Sequence, residues 1–287
     1  MPRGTTFRTW DDYFIPGTSV LRNKFTAPGK PYGEPDPDKL RTMEEGAAAF
    51  RLEELRQHPI AGRFDYDHMK AIHGAIFQDV YDWAGVPRVG PDTPMSKDGP
   101  NVLDPSSTEL IAYRYYPGGE PMNEAAEAQY AKLAGKDLLR GLPEAEFVDE
   151  LAETWGEVNV IHSFREGNTR SQFVFFSQLA EQAGYRIDPA QFAPGAPLRD
   201  EFVRARFHGQ ATGRNDRLAA VLGKAIAPFE SAPRDTPPGA VSRSPLWQAS
   251  YPGSAADATR PVAPPTARGG SGTTAGRAYG AGQEGRG

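Results

Sequence analysis

Residues 171–183 are apolar on nearly every side, with Phe173, Val174, Phe175, Phe176 and Leu179 leaving no face for water. A helix of that kind must lie in the middle of a bundle, covered by its neighbours. Gly184 supplies an ordinary C-terminal stop. Upstream, Phe147, Leu151, Trp155, Val158 and Ile161 keep helical spacing behind an acidic start at residues 143–146. The same periodicity predicts helices over residues 40–57, 67–83 (with Asp67 as N-cap), 124–140, 198–207 and 216–227. The chain therefore reads as an all-α domain whose two most buried helices are consecutive.

Those two helices are joined by His162, Ser163, Phe164, Arg165, Glu166, Gly167, Asn168, Thr169 and Arg170. Gly167 permits a turn in which successive N–H groups point at one anion, and the following helix adds unpaired N–H groups and the positive end of its dipole. Arg170 offers a bidentate partner for phosphate oxygens, Glu166 a carboxylate for a divalent ion, and His162 a base that titrates near neutrality. Chemistry on a nucleotide is one reading. The other is that Gly, Asn and charges before a helix simply make a turn and a cap.

Composition limits the remainder. From residue 232 to 287 the chain holds ten Gly and eight Pro, few large apolar side chains and no helical period. Such a segment buries too little surface to offset its chain entropy, so the folded unit is expected at residues 1–231, with a disordered tail at 232–287. The tail carries six Arg against Asp235, Asp257 and Glu284; with a whole-chain charge of −5, the rest is near −8. That balance argues against general nucleic-acid binding. No apolar run approaches a membrane span, and the N-terminus lacks a signal-like apolar stretch. The absence of cysteine excludes disulfides and thiolate chemistry and suits a cytoplasmic protein. His58, His68, His73 and His208 share no metal-ligand spacing and read as surface or structural groups.

The nine-residue loop resembles the signature of the Fic family, His-x-Phe-x-Asp/Glu-Gly-Asn-Gly-Arg-x-x-Arg. His162, Phe164, Glu166, Gly167, Asn168 and Arg170 match it position for position. Further likeness lies in Tyr13, Pro16, Gly17, Leu21, Asn23 and Lys24, and in Tyr81, Asp82, Trp83, Ala84 and Gly85, so that about residues 10–228 are covered. The resemblance implies a Fic-type helical bundle with a short β-hairpin flap, here within the Pro-rich and Gly-rich residues 86–105. Pro94, Met95, Ser96 and Lys97 would then dock a target segment by strand addition. It also implies transfer of AMP from ATP to a Ser, Thr or Tyr hydroxyl of a target protein. His162 would be the general base, Glu166 the ligand of Mg²⁺, and Gly167, Asn168, Thr169 and Arg170 the phosphate-binding residues. Phe164 would anchor the loop.

Three positions depart from the signature: Ser163 stands for a common proline, Thr169 for the second glycine and Phe173 for the final arginine. A left-handed angle at Thr169 would cost about 1–2 kcal/mol. If the lost guanidinium limits phosphate orientation, Phe173→Arg is expected to raise activity. The family's inhibitory motif, Ser/Thr-x-x-x-Glu-Gly/Asn, is not matched by Glu45–Gly46, which Arg41 precedes, or by Glu284–Gly285. The expectation is therefore a chain with no built-in inhibitor, toxin-like in action and restrained, if at all, by a small antitoxin-like partner. The alternatives are a catalytically weakened nucleotide- or protein-binding module, or transfer of UMP or phosphate. The phosphorylating Doc branch carries Ala-Asn-Lys where Gly167, Asn168 and Thr169 stand.

Overall fold

A computed structural model describes residues 7–91, 95–104 and 106–229. The expectation for residues 232–287 and that for Pro94 lie outside the described residues. Among the described residues seven α-helices carry the fold: α1 (Pro37–Gln57), α2 (Tyr66–Phe77), α3 (Glu120–Gly135), α4 (Glu144–Ile161), α5 (Asn168–Ala183), α6 (Arg199–Thr212) and α7 (Asp216–Leu222). The strands form two small antiparallel pairs, β1 (Ser96–Pro100) with β2 (Leu110–Arg114), and β3 (Tyr185–Ile187) with β4 (Ile226–Pro228). The all-α bundle with a hairpin between α2 and α3 is as the sequence predicts, but the second strand, Leu110–Arg114, lies beyond the residues 86–105 expected to hold the hairpin.

The centre is α5, buried on all sides from Arg170 to Phe176, including Ser171 and Gln172, with only its last turn reaching water. Trp155 of α4 stacks on Phe176 at 4.6 Å and meets Phe173 edge-on at 5.0 Å, while its indole N–H donates to Gln172 Oε1 at 3.1 Å. Each such side chain contributes about 1.5–3 kcal/mol by leaving water.

Helix ends differ from the periodic prediction where capping or tertiary contacts decide. Asp36 accepts from the N–H groups of Asp38 and Lys39, so α1 starts at Pro37. The cap of α2 is Asp65, which accepts from His68 N–H at 2.9 Å, rather than Asp67. That helix also stops at Phe77, six residues short of the prediction. Val80, Tyr81 and Trp83 are buried from a turn, not from helix. The turn brings Gly85, at φ +79°, against Gly74, where a Cβ would lie 3.2 Å from Gly74 Cα and 3.0 Å from Lys70 O. Helix α3 runs earlier than predicted, and α6 continues to Thr212. Helix α7 ends at Leu222, because the residues after it turn to pair with β3.

Candidate active site

Helix α4 ends at Ile161, and His162 caps it in the left-handed region (φ 52°), its N–H donating to Val158 O at 3.2 Å. Asn168 closes the loop beyond: its Oδ1 accepts from Phe164 N–H at 2.9 Å and its Nδ2 donates to Phe164 O at 2.7 Å. Gly167, at φ +81°, lies on the Phe77 ring, where a Cβ would come within 2.1 Å of Cε2. Only glycine fits both the angle and the space. Helix α5 then begins with no side chain capping its first N–H groups and no acidic residue in its first turn. Those N–H groups and the helix dipole favour an anion.

Two buried side chains distant in sequence, His73 and Arg88, hold this loop, and Arg165 anchors it from within. His73 Nε2 donates to Glu166 O at 2.9 Å and its Nδ1 accepts from Gly85 N–H at 2.8 Å, which fixes a neutral ring; burial pushes its pKa down to about 3. The same ring stacks on Phe164 at 3.8 Å. Arg88, 1% exposed, donates through Nε to His162 O at 2.7 Å and through Nη2 to Tyr116 O at 2.6 Å, and its own N–H reaches Ser163 O at 2.8 Å. Arg165 lies 4.2 Å over the Trp10 ring and 5.1 Å over Phe14, so the N-terminal segment clasps the loop from behind.

In front of His162 lies a pocket lined by Lys97, Tyr115, Asn159, Thr169, Phe202 and Arg206, with Arg199 at its wall. The Tyr115 ring packs tilted against the His162 ring, 38° between planes and 4.2 Å between centroids. Burial, reinforced by the charges of Arg88, Lys97 and Arg206, holds His162 well below the ordinary imidazole range, so the ring is neutral at pH 7. Burial brings Lys97 down to about 8, with Glu166 opposing and Arg206 and Arg199 reinforcing. A neutral base, an uncapped helix start and three cations thus share one cavity.

The predicted site residues separate into two groups. His162, Thr169 and Lys97 line the pocket, and the backbone of Gly167 and Asn168 opens α5 beside it. Arg170 does not face it: the guanidinium is 2% exposed, ion-paired with Glu44 of α1, 3.8 Å from Glu166 and 4.5 Å over Phe77. Burial on the core side of α5 makes it a support rather than the open phosphate ligand expected. The Asn168 amide is likewise spent on Phe164, which leaves its backbone N–H for an anion. Of the flap residues, Met95 and Ser96 are buried and Lys97 lines the pocket, so none of these three side chains stands out as a free docking group.

Glu166 keeps about a fifth of its side chain exposed (20%), with one oxygen accepting from Gly167 N–H at 3.0 Å. Among the described residues no group of three or more His, Asp or Glu forms a metal cage. A lone carboxylate suits a Mg²⁺ ion that takes its other ligands from phosphates and water.

The sequence reading missed Arg199 and Arg206. Their signal was present: Arg199, Phe202, Val203 and Arg206 recur at helical spacing, so two cations share one apolar face of α6. Glu44 was also missed, lying among other glutamates on a helix expected to show water a charged face.

The Fic/DOC family model matches residues 63–180. Protein adenylyltransferase VbhT of Bartonella schoenbuchensis is 33% identical over 219 residues, which is 76% of this chain and 40% of VbhT, so the chain spans less than half of that relative. The probable protein adenylyltransferase y4lH of Sinorhizobium fredii is 32% identical over 196 residues, 68% of this chain and 88% of y4lH. Among solved structures, the N-terminal FIC domain of Bep8 from Bartonella sp. 1-1C shares 28% identity at a TM-score of 0.56, over 75% of this chain and 92% of that one. BepC from Bartonella tribocorum, solved with AMPPNP, shares the fold at a TM-score of 0.60 and 22% identity, over 77% of this chain and 98% of that one. With the signature loop standing between α4 and α5 behind a hairpin, and with a relative of this identity covered almost end to end, the chain belongs to the Fic/DOC family.

Proposed function

We propose that this protein is an adenylyltransferase that moves AMP from ATP to a Ser, Thr or Tyr hydroxyl of another protein. The observation that carries the reading is the neutral His162 beside the uncapped start of α5, in a pocket with Lys97, Arg199 and Arg206. His162 takes the hydroxyl proton, and the freed oxygen attacks the α-phosphorus. The bond from that phosphorus to the bridging oxygen breaks, and pyrophosphate leaves. The N–H groups of residues 168–170 stabilise the charge that develops on the α-phosphate. Glu166 would hold Mg²⁺, which would supply positive charge to the phosphates. The outer backbone of the β1–β2 hairpin aligns the target segment.

The relatives' names, protein adenylyltransferase, support the activity. We read the chain further as cytoplasmic and toxin-like, with any inhibitor a separate small protein, since neither Glu45–Gly46 nor Glu284–Gly285 completes an inhibitory motif. Among the described residues no helix is long and apolar enough to cross a membrane.

The test is incubation with α-labelled ATP, Mg²⁺ and a lysate, beside His162→Ala. A labelled protein band that vanishes in the variant is expected. Label arriving only from the γ-position points to phosphorylation, label only from UTP to uridylylation, and none from any of them to a binding module. If a co-expressed neighbouring-gene product leaves activity unchanged, it is not the inhibitor.

A further inference from the structure

Arg206 is the most unusual cation of the pocket. Its Nη1 donates to Thr169 Oγ1 at 3.2 Å and its Nη2 to Asn159 Oδ1, while its Nε is buried with no partner among the described residues. Both partners are neutral, and no carboxylate faces it among the groups that perturb it; Arg199 instead repels it, and burial lowers its pKa to about 10. Lys97 lines the same cavity. A protein does not ordinarily bury a guanidinium against neutral partners, because it loses hydration without gaining an opposite charge. The missing charge is one that a ligand brings.

The placement is specific. Asn159 lies three residues before His162 on α4, and Thr169 lies in the first turn of α5, so Arg206 spans both sides of the signature loop. Its guanidinium sits 5.3 Å over the Phe202 ring, and Phe202 packs 5.3 Å from Phe173. Of the two main departures from the signature, Thr169 touches Arg206 directly and Phe173 is linked to it through Phe202. Thr169 supplies an acceptor that glycine lacks, and Phe173 supplies the aromatic floor beneath Phe202.

We propose that Arg206, positioned by Asn159, Thr169 and Phe202, binds the outer phosphates of a nucleoside di- or triphosphate and so replaces, from α6, the guanidinium absent at Phe173. This rests on the reading of the pocket as a nucleotide site, but not on transfer taking place.

The test is direct binding, with no target protein present, of ATP, ADP and AMP to the full chain by titration calorimetry. Arg206→Gln is expected to weaken ATP and ADP binding about ten- to hundredfold and AMP binding less than about threefold. Thr169→Gly is expected to weaken ATP binding severalfold, again sparing AMP. Should Arg206→Gln fail to fold, Arg206→Lys keeps a point charge without the planar fork and is expected to lose ATP affinity severalfold. ATP binding within twofold of wild type in a folded Arg206→Gln or Arg206→Lys variant overturns the assignment, as does an equal loss for AMP and ATP. ATP binding that depends on Arg206, in a protein that labels nothing, leaves this assignment standing and sinks the transferase reading. Labelling and ATP binding indifferent to Arg206 do the reverse.

Discussion

Glu44→Ala is expected to destabilise the fold more than any change at the neighbouring surface acids of α1. In the wild type, Glu44 takes an ion pair from Arg170 and a hydrogen bond from the Tyr81 hydroxyl, and all three side chains are buried. Removing the carboxylate leaves a guanidinium with 2% exposure only the looser approach to Glu166 at 3.8 Å, and breaking a buried pair from one side costs about 3–5 kcal/mol. The orphaned Tyr81 hydroxyl adds about 1 kcal/mol or more. For a folded body of this size, about 4 kcal/mol corresponds to a fall in Tm of roughly 8–16 °C. Thermal and urea melts of Glu44→Ala, Arg170→Met and the double variant Glu44→Leu/Arg170→Met measure it. The double variant should recover much of the loss, because a buried pair exchanged for apolar groups is often near neutral. Arg41→Ala serves as the surface control: its pair with Asp38 is 52% and 80% exposed and is worth about 0–1 kcal/mol. A Glu44→Ala cost below about 1 kcal/mol, or strict additivity in the double variant, would falsify the buried-support assignment of Arg170.

Three other outcomes follow from the geometry. Phe173→Arg should lower stability rather than raise activity, because Phe173 is 1% exposed among Trp155, Phe192 and Phe202 and a charge there has no partner; an active variant with an unchanged melt contradicts this. Lys97 loses its charge as pH rises through about 8, so the KM for ATP should climb above that pH in the wild type but stay flat to higher pH in Lys97→Arg; parallel profiles refute it. His73 has a folded pKa near 3, below the unfolded value near 6.5, so the unfolded chain binds its proton first. Its contribution is intact above about pH 6.5 and lost on acidification, by about 1.4 kcal/mol per pH unit; urea melts from pH 7.5 to 5.5 should show a shallower slope in His73→Gln, and equal slopes count against it.

The central pair of helices and the loop between them were legible because their evidence is local: one stripe over Phe147–Ile161, one all-apolar run and one ordered set of residues. What was not legible depends on contacts between distant parts. Glu44 and Glu45 are neighbours of one type, and only Arg170, far along the chain, makes one of them buried. The end of α2 was overrun because Val80 and Trp83 stay buried after the helix has stopped, so the apolar period outlives the helix. The β3–β4 pair is three residues long on each side and has no pattern of its own. Arg206 was not legible because it stands on α6, outside the signature, and only the fold brings it to Thr169 and Asn159.

Arg88 grips the loop through main-chain oxygens alone: those of His162, Ser163, Tyr116, Gly90 and, at 3.4 Å, Ile161. Every amino acid has a carbonyl, so this clamp is blind to the side chains it holds. Ser163 in place of the usual proline therefore costs it nothing, and Tyr116 or Ile161 can drift toward other residues without moving the base. The burden of heredity falls instead on position 88, where lysine offers no fork and no other residue offers the reach.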